Sequence, residues 1–243
     1  MGTLSEFLVR VNRAVRGLAT PRWRLSAPHP ALAEALGRWA DAPSDIHDHL
    51  GLIFAETVAA RPRLIVELGT RGGVSTRALL AAADVAGAEL LSIDIEDCSG
   101  IDIAARFSER WRFVQSDDVA FAGAPFEAFC AERGLPAQAD VIFIDTSHEY
   151  EHTRAELAAW TPRLSTRGAM LFHDTNMATW FRRLDGQVDF GWDNQRGVIR
   201  AIEEMLGRRY DERTFFTDIA GGFAVQHTPW SSGFTVLRRL PDA

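Results

Sequence analysis

The sequence predicts an α/β protein built on a Rossmann-like doubly wound sheet. The sheet is expected to be mostly parallel, with an antiparallel C-terminal strand and an N-terminal helical cap. Three observations lead there. From residue 63 onward, short apolar runs alternate with stretches at helical spacing. The runs are apolar throughout, as strands are when helices cover both faces of a parallel sheet. Each main run also closes on a polar or acidic residue, and right-handed crossovers would bring those residues to one edge.

Along the chain, residues 1–62 read as helices, a cap or dimerisation segment ahead of a sheet domain at 63–243. "LSEFLVRVNRAVRGL" sets Leu4, Phe7, Leu8, Val11 and Val15 on one face. Its basic face reads as a solvated surface, or more specifically as a cap over a bound molecule or a dimer arm. "ALAEALGRWA" and "IHDHLGLIFAETVAA" follow, separated by proline-containing turns. His47 and His49 have an i, i+2 spacing that points them apart on a helix, so they are expected at the surface or as caps. The strands are "LIVEL", "ELLSIDI", "WRFVQS", "DVIFID" and "GAMLFHD". The helices between them include "VSTRALLAAADVA", "APFEAFCAERG" and "YEHTRAELAAWTPRL". The loop at 176–193 is long enough to be a lid. Its Trp180, Phe181, Phe190 and Trp192 either wall a bound molecule or pack beneath the loop. "GVIRAIEEMLGRR" is a further helix. In the β-rich tail "RTFFTDI" and "GFTVLRR" read as strands, and "GGFAVQ" fits a strand equally well.

The 243 residues suit one large domain with an added cap, and 47% hydrophobic residues can bury a sizeable core. No apolar run approaches the roughly 20 residues of a membrane span. The first 20 residues lack the apolar core and cleavage site of a signal peptide. A cytoplasmic setting with no membrane partner is expected. Cys98 and Cys130 have no metal-like spacing and read as reduced thiols. A net charge of −7 counts against nucleic acid as a partner. Every Lys-or-Arg position is Arg, which removes Schiff-base chemistry.

The strand ends carry the acids. Glu67 lies near the end of the first strand, Asp94 ends the second, and Asp117 and Asp118 follow the third. Asp145 and Asp174 end the fourth and fifth. Carboxylates gathered on one edge need donors or a cation to offset repulsion and burial. Ribose hydroxyls, an adenine amino group, a sulfonium or a metal ion would each serve. The loop Gly69-Thr70-Arg71-Gly72-Gly73 departs from the dinucleotide fingerprint, because Arg71 stands where a glycine should let a pyrophosphate approach.

"VELGTRGGVSTRALL", "LLSIDIED", "FVQSDD" and "VIFIDTSHEYEHTRAELAAWTPRLSTRGAMLFHDT" together resemble, in order and spacing, the class I S-adenosylmethionine-dependent methyltransferases. The likeness is to the branch of small-molecule and antibiotic-sugar O-methyltransferases and cephalosporin-hydroxylase-like proteins. It covers roughly residues 60–176, and the β-rich tail more weakly. The resemblance implies that Glu67, Gly69, Thr70 and Gly72 line the methionine end of S-adenosylmethionine. It implies Asp94 at the ribose hydroxyls and Asp117 or Asp118 at the adenine. An acid ending a second strand suits a ribose on general grounds as well. A solvated or Arg71-paired carboxylate is the plainer reading of Glu67, and a turn cap that of one of the two aspartates.

Asp145 and Asp174 end strands expected to be neighbours, about 4.8 Å apart, so they can converge on one ion. Magnesium would suit two carboxylates completed by water and substrate oxygens. The resembled branch places two consecutive metal-binding groups at the fifth strand, whereas this chain has His173-Asp174-Thr175. His173 is either a third ligand, which would admit manganese, iron or zinc, or a core histidine facing away. His148, three residues past Asp145, suits a general base for a hydroxyl that must shed its proton. Related members carry a histidine in this arrangement in that role, and the plainer reading is a helix cap. The implied activity is methyl transfer to a hydroxyl of a small natural product, such as a deoxysugar, with room for a homodimer. A non-catalytic S-adenosylmethionine-binding protein stays open as an alternative. A nicotinamide-dependent oxidoreductase also stays open, disfavoured by Arg71 and the β-rich tail.

Overall fold

A computed structural model describes residues 29–41, 46–177, 180–182, 188–190 and 193–241. The first predicted helix, with Leu4 to Val15, lies outside the described residues, as do Trp192 and the side chains of Trp180, Phe181 and Phe190.

Five parallel strands form the centre: β1 (Leu64–Leu68), β2 (Glu89–Asp94), β3 (Trp111–Gln115), β4 (Ala139–Ile144) and β5 (Leu164–His173). Their spatial order is β3-β2-β1-β4-β5, so the winding reverses between β1 and β4. Crevices at such a reversal, outside the strand C-termini, are where open α/β sheets bind ligands. Within the register Leu68 pairs with Ile144, and Ile144 with Phe172, which brings the exits of β1, β4 and β5 level. β6 (Trp180–Arg182) and β7 (Val188–Phe190) form a separate antiparallel hairpin inside the expected lid loop. The tail supplies β8 (Phe216–Ala220), β9 (Phe223–Thr228) and β10 (Phe234–Arg239), which extend the sheet as β5-β10-β9-β8. All three pairings there are antiparallel, where a single antiparallel strand was expected, because "GGFAVQ" forms the middle of a meander.

Helices cover both faces. α1 (Pro30–Leu36), α2 (Leu50–Ala59), α3 (Val74–Ala86) and the short α4 (Ala105–Ser108) share one apolar core with one side of the sheet. The other core takes in α5 (Asp118–Phe121), α6 (Ala124–Glu132), α7 (Tyr150–Trp160) and α8 (Gly197–Leu206). Ser75 through Ala83 are buried without a break, so α3 has no solvent face before its last turn. A helix buried all round must be covered on its outer side. Its alanines provide flat surfaces on which α1 and α2 pack, with Leu32, Leu36, Leu50 and Ile53 buried. The described part of the expected cap is therefore built into the core of the sheet domain. Among the described residues no helix is long and apolar enough to cross a membrane.

Local chemistry sets the helix ends. Gly207 at φ 62° stops α8 before the predicted Arg208 and Arg209. Pro162 turns the end of the predicted 150–164 helix into a short 3₁₀ segment. Trp160 on α7 is fully buried, meets Phe126 edge-on at 5.2 Å and donates its indole N–H to the Asp118 carbonyl at 3.2 Å. Trp160→Ala should lower stability by about 3–5 kcal/mol in urea denaturation. A loss below about 1 kcal/mol would mean that α7 is not held by this side chain.

Candidate active site

The glycine loop leaves β1 and passes directly over the exit of β4. Gly69 sits at φ 85°, and a Cβ there would lie 2.2 Å from the carbonyl oxygen of Asp145. Only glycine allows both the backbone angle and that approach. Asp94 ties the loop down: one oxygen accepts from the N–H of Thr70 at 2.7 Å and of Arg71 at 3.0 Å, the other from Glu96 at 2.9 Å. Burial would raise its carboxyl, but these three donors outweigh burial and hold it below the usual range. The Thr70 hydroxyl is buried with no hydrogen-bond partner, while Gly72 faces open space. Arg77 locks the start of α3 through the carbonyls of Gly73 (2.5 Å) and Asp102 (2.7 Å), and stacks its guanidinium 4.8 Å over Trp39. Ile95, directly after Asp94, is 73% exposed, an apolar surface beside an acid.

Glu67 points inward. It is fully buried and accepts from Ser75 at 2.7 Å, Thr76 at 2.9 Å and Ser92 at 2.5 Å. Neither a solvated carboxylate nor an Arg71 pair describes it. The Ser-Thr pair that opens α3 was a signal for this, since first-turn hydroxyls there face the strand before the loop. Asp117 caps α5 by accepting from the Ala120 N–H at 2.7 Å. Asp118 turns inward, toward His152 on α7 at 3.3 Å.

Four side chains converge where β4 and β5 end. His148 Nε2 lies 3.0 Å from Asp145 Oδ1 and 3.1 Å from Asp174 Oδ2. His173 Nδ1 approaches the same carboxylates at 3.4 Å and 3.2 Å, at ion-pair distance. His148 and Asp174 both adopt left-handed backbone, at φ 61° and 55°. Such angles are costly outside glycine and persist where surrounding structure imposes them. Here a glycine on each side allows it. A Cβ on Gly197 would lie 2.3 Å from the His148 carbonyl oxygen, and one on Gly233 would lie 2.4 Å from the Asn176 nitrogen.

The charges interlock. Burial works against ionising Asp145, yet the positive field of His173 and the His148 hydrogen bond outweigh it and hold its carboxyl far below the ordinary range. Burial would lower His148 as well, but the Asp145 hydrogen bond and the Asp174 charge raise it above 6.5. His173 is raised further by both carboxylates against its complete burial. Asp145, His148 and Asp174 each offer a ligand atom, all within 4.8 Å of one another. His173 is not in that set, and it meets Asp174 Oδ1 from the buried side.

His47 and His49 are both buried, contrary to the surface places expected, and His49 stands at the N-cap position of α2 without a side-chain capping bond. They lie in a 3₁₀ turn rather than a helix. His49 stacks on Phe234 at 5.1 Å, meets His173 at 5.4 Å and bonds the Trp230 carbonyl at 3.0 Å. Burial and the neighbouring His173 charge push it down to about 3, so it stays neutral beneath the acids. Cys98 and Cys130 are both buried free thiols.

Residues 66–175 match a family described as a methyltransferase domain. The uncharacterized protein y4gI of Sinorhizobium fredii is 31% identical over 128 residues, which are 49% of this chain and 14% of that protein. Among solved structures, the chain is similar to the MycE methyltransferase from the mycinamycin biosynthetic pathway, in complex with Mg, SAH and mycinamycin VI. That alignment has a TM-score of 0.55 and 18% identity, and covers 89% of this chain and 56% of the other. It is also similar to the O-methyltransferase TomG from Streptomyces achromogenes, involved in tomaymycin synthesis and in complex with SAM (TM-score 0.51, 18% identity, 98% and 100% covered). A methyltransferase from Geobacter sulfurreducens aligns with a TM-score of 0.53 and 16% identity over 95% and 96% of the two chains.

Glu67 generates a pH test. Burial dominates its surroundings and lifts it from 4.5 to about 7 despite the three hydroxyl donors. The folded state thus keeps a proton that the unfolded chain has lost. The stability this contributes is full below pH 4.5 and disappears as the pH rises through about 7. The difference across that window is roughly 3 kcal/mol. Denaturation at about pH 5 and about pH 8 should therefore show a smaller fall in stability for Glu67→Gln than for the wild type, by about 2 kcal/mol or more. Equal falls would mean that Glu67 is ionised throughout.

Proposed function

We propose that this chain, whose residues 66–175 are a methyltransferase domain of the class I S-adenosylmethionine-dependent kind, transfers a methyl group to a hydroxyl oxygen of a small organic acceptor. The observation that carries the reading is the meeting of Asp145, His148 and Asp174 directly beneath the Gly69 loop. S-adenosylmethionine supplies an electrophilic methyl group on a sulfonium. Its fit is supported by the unpartnered Thr70 hydroxyl, the open face at Gly72 and the exposed Ile95 beside Asp94. We assign Asp94 to the ribose hydroxyls and Ile95 to the face of the adenine, with Asp117 at the adenine edge. Glu67 supports the loop from below through its hydroxyl shell.

We assign His148 as general base. Its imidazole is held between Asp145 and Asp174 and receives the acceptor's proton. The two carboxylates stabilise the resulting imidazolium, which is the reason the base is stronger than a free histidine. Carboxylate-bound histidines in acyl-transfer sites use the same logic on unrelated folds.

Asp145 and Asp174 also suit a divalent cation, magnesium in the first instance, since with His148 they offer ligand atoms all within 4.8 Å of one another. Such a cation would acidify a bound hydroxyl and anchor it. His173, pressed against both carboxylates from the buried side, then serves to orient them, as partners of metal ligands do. A natural-product acceptor, specifically a deoxysugar hydroxyl, is the finer proposal. It draws on two structural neighbours, one from the mycinamycin biosynthetic pathway and one involved in tomaymycin synthesis.

Asp145→Ala should abolish methyl transfer and any dependence on divalent ions, while S-adenosylhomocysteine binding persists in calorimetry. Full wild-type activity in excess chelator would remove the cation. His148→Ala should slow transfer by about 100-fold or more with little change in cofactor affinity. It should leave Mg²⁺ affinity unchanged, and a matching loss of metal binding would make His148 a ligand instead of the base.

A further inference from the structure

A second cluster lies behind the first. Asp118 opens α5, while His152 and Glu156 stand one turn apart on the same face of α7. His152 Nε2 is 3.3 Å from Asp118 Oδ1 and 3.7 Å from Glu156 Oε1. The three residues offer ligand atoms that all lie within 4.8 Å of one another.

Two buried oxygens in this cluster have no hydrogen-bond donor. Glu156 is fully buried, with Oε2 unpartnered, and the largely buried Asp118 leaves Oδ2 in the same condition. Orphaned, buried carboxylate oxygens are expensive, and two of them in one cluster call for a positive charge between them.

We propose that Asp118, His152 and Glu156 form a second divalent-cation site, of the zinc class, distinct from the Asp145–Asp174 pair. A tetrahedral cation with bonds of about 2.0–2.2 Å holds its ligand atoms about 3.3–3.6 Å apart, close to the spacings of His152 Nε2 from Asp118 Oδ1 and Glu156 Oε1, and the orphaned Oδ2 and Oε2 are the second oxygens of the same two carboxylates. One imidazole and two carboxylates suit borderline ions such as Zn²⁺. His152 is half-exposed, which leaves the fourth position to solvent. The role is structural. Glu156 Oε1 accepts from the Thr146 hydroxyl at 2.8 Å, so an ion here would brace the residue that follows Asp145. It would also fasten α5 to α7.

The test isolates this site from the candidate catalytic one. Asp145→Ala protein is stripped with chelator and dialysed against Zn²⁺, beside the Asp145→Ala, His152→Ala double variant. The single variant should hold one Zn²⁺ per chain and melt at a higher temperature with the ion. The double variant should bind about 100-fold more weakly or worse, since even outer partners of a metal ligand are worth about 10- to 100-fold. No Zn²⁺ on the single variant, or equal binding by both, overturns the proposal and leaves a proton shared by Asp118 and Glu156. Should Asp145→Ala fail to fold by circular dichroism, wild type against His152→Ala gives the same reading, as two ions against one. Equal stoichiometry there overturns it. Loss of methyl transfer would not affect this outcome, so the two readings fail separately.

Discussion

Two carboxylates held at the ends of neighbouring strands repel each other, and the centre of this molecule is organised around that repulsion. Asp145 and Asp174 leave β4 and β5 at the same level, because the register pairs Ile144 with Phe172. The fold answers with two imidazoles, one from the loop after β4 and one from β5 itself. Each histidine touches both acids, so each acid is bridged twice. In a low-dielectric surrounding such a set is strongly coupled, and removing any one member leaves a buried charge uncompensated.

Holding that set requires backbone that most residues avoid. His148 and Asp174 have positive φ, and three glycines, Gly69, Gly197 and Gly233, let other chain segments press against the strained loops. The strain is confined by rigid neighbours. α3 is buried on all sides before its last turn, Arg77 fastens its first turn, and Glu67 is clamped by three hydroxyls one layer below. Strain at a site of this kind persists only where its surroundings over-determine it. The alanine-rich core of α3 and the helices packed on it meet that condition.

Much of this was legible in the residues. Apolar runs and their terminal acids specified the five parallel strands, and the convergence of Asp145 and Asp174 followed from strand adjacency, with His148 three residues past Asp145 and His173 left open between a ligand and a core residue. The hidden parts share one cause: they depend on which way a side chain turns after the backbone has turned. Glu67 sits on a strand facing the interior, so its partners came from α3 and β2, eight or more positions away. His47 and His49 were misread because a 3₁₀ turn changes the angular step between residues that helical spacing assumes. The Asp118–His152–Glu156 grouping joins two elements 34 positions apart, with no local motif to announce it.

β10 lies between β5 and β9 although it follows both in sequence. Its Phe234 is the register partner of His173 and stacks on His49. Until β10 arrives, β5 presents a bare edge, and the hydrophobic floor under the acidic cluster is missing. Completing the sheet and completing the surroundings of the acidic cluster thus rest on the same long-range pairing. A chain halted before this insertion would carry every acid and every histidine of the cluster, and still lack the wall that holds them in place.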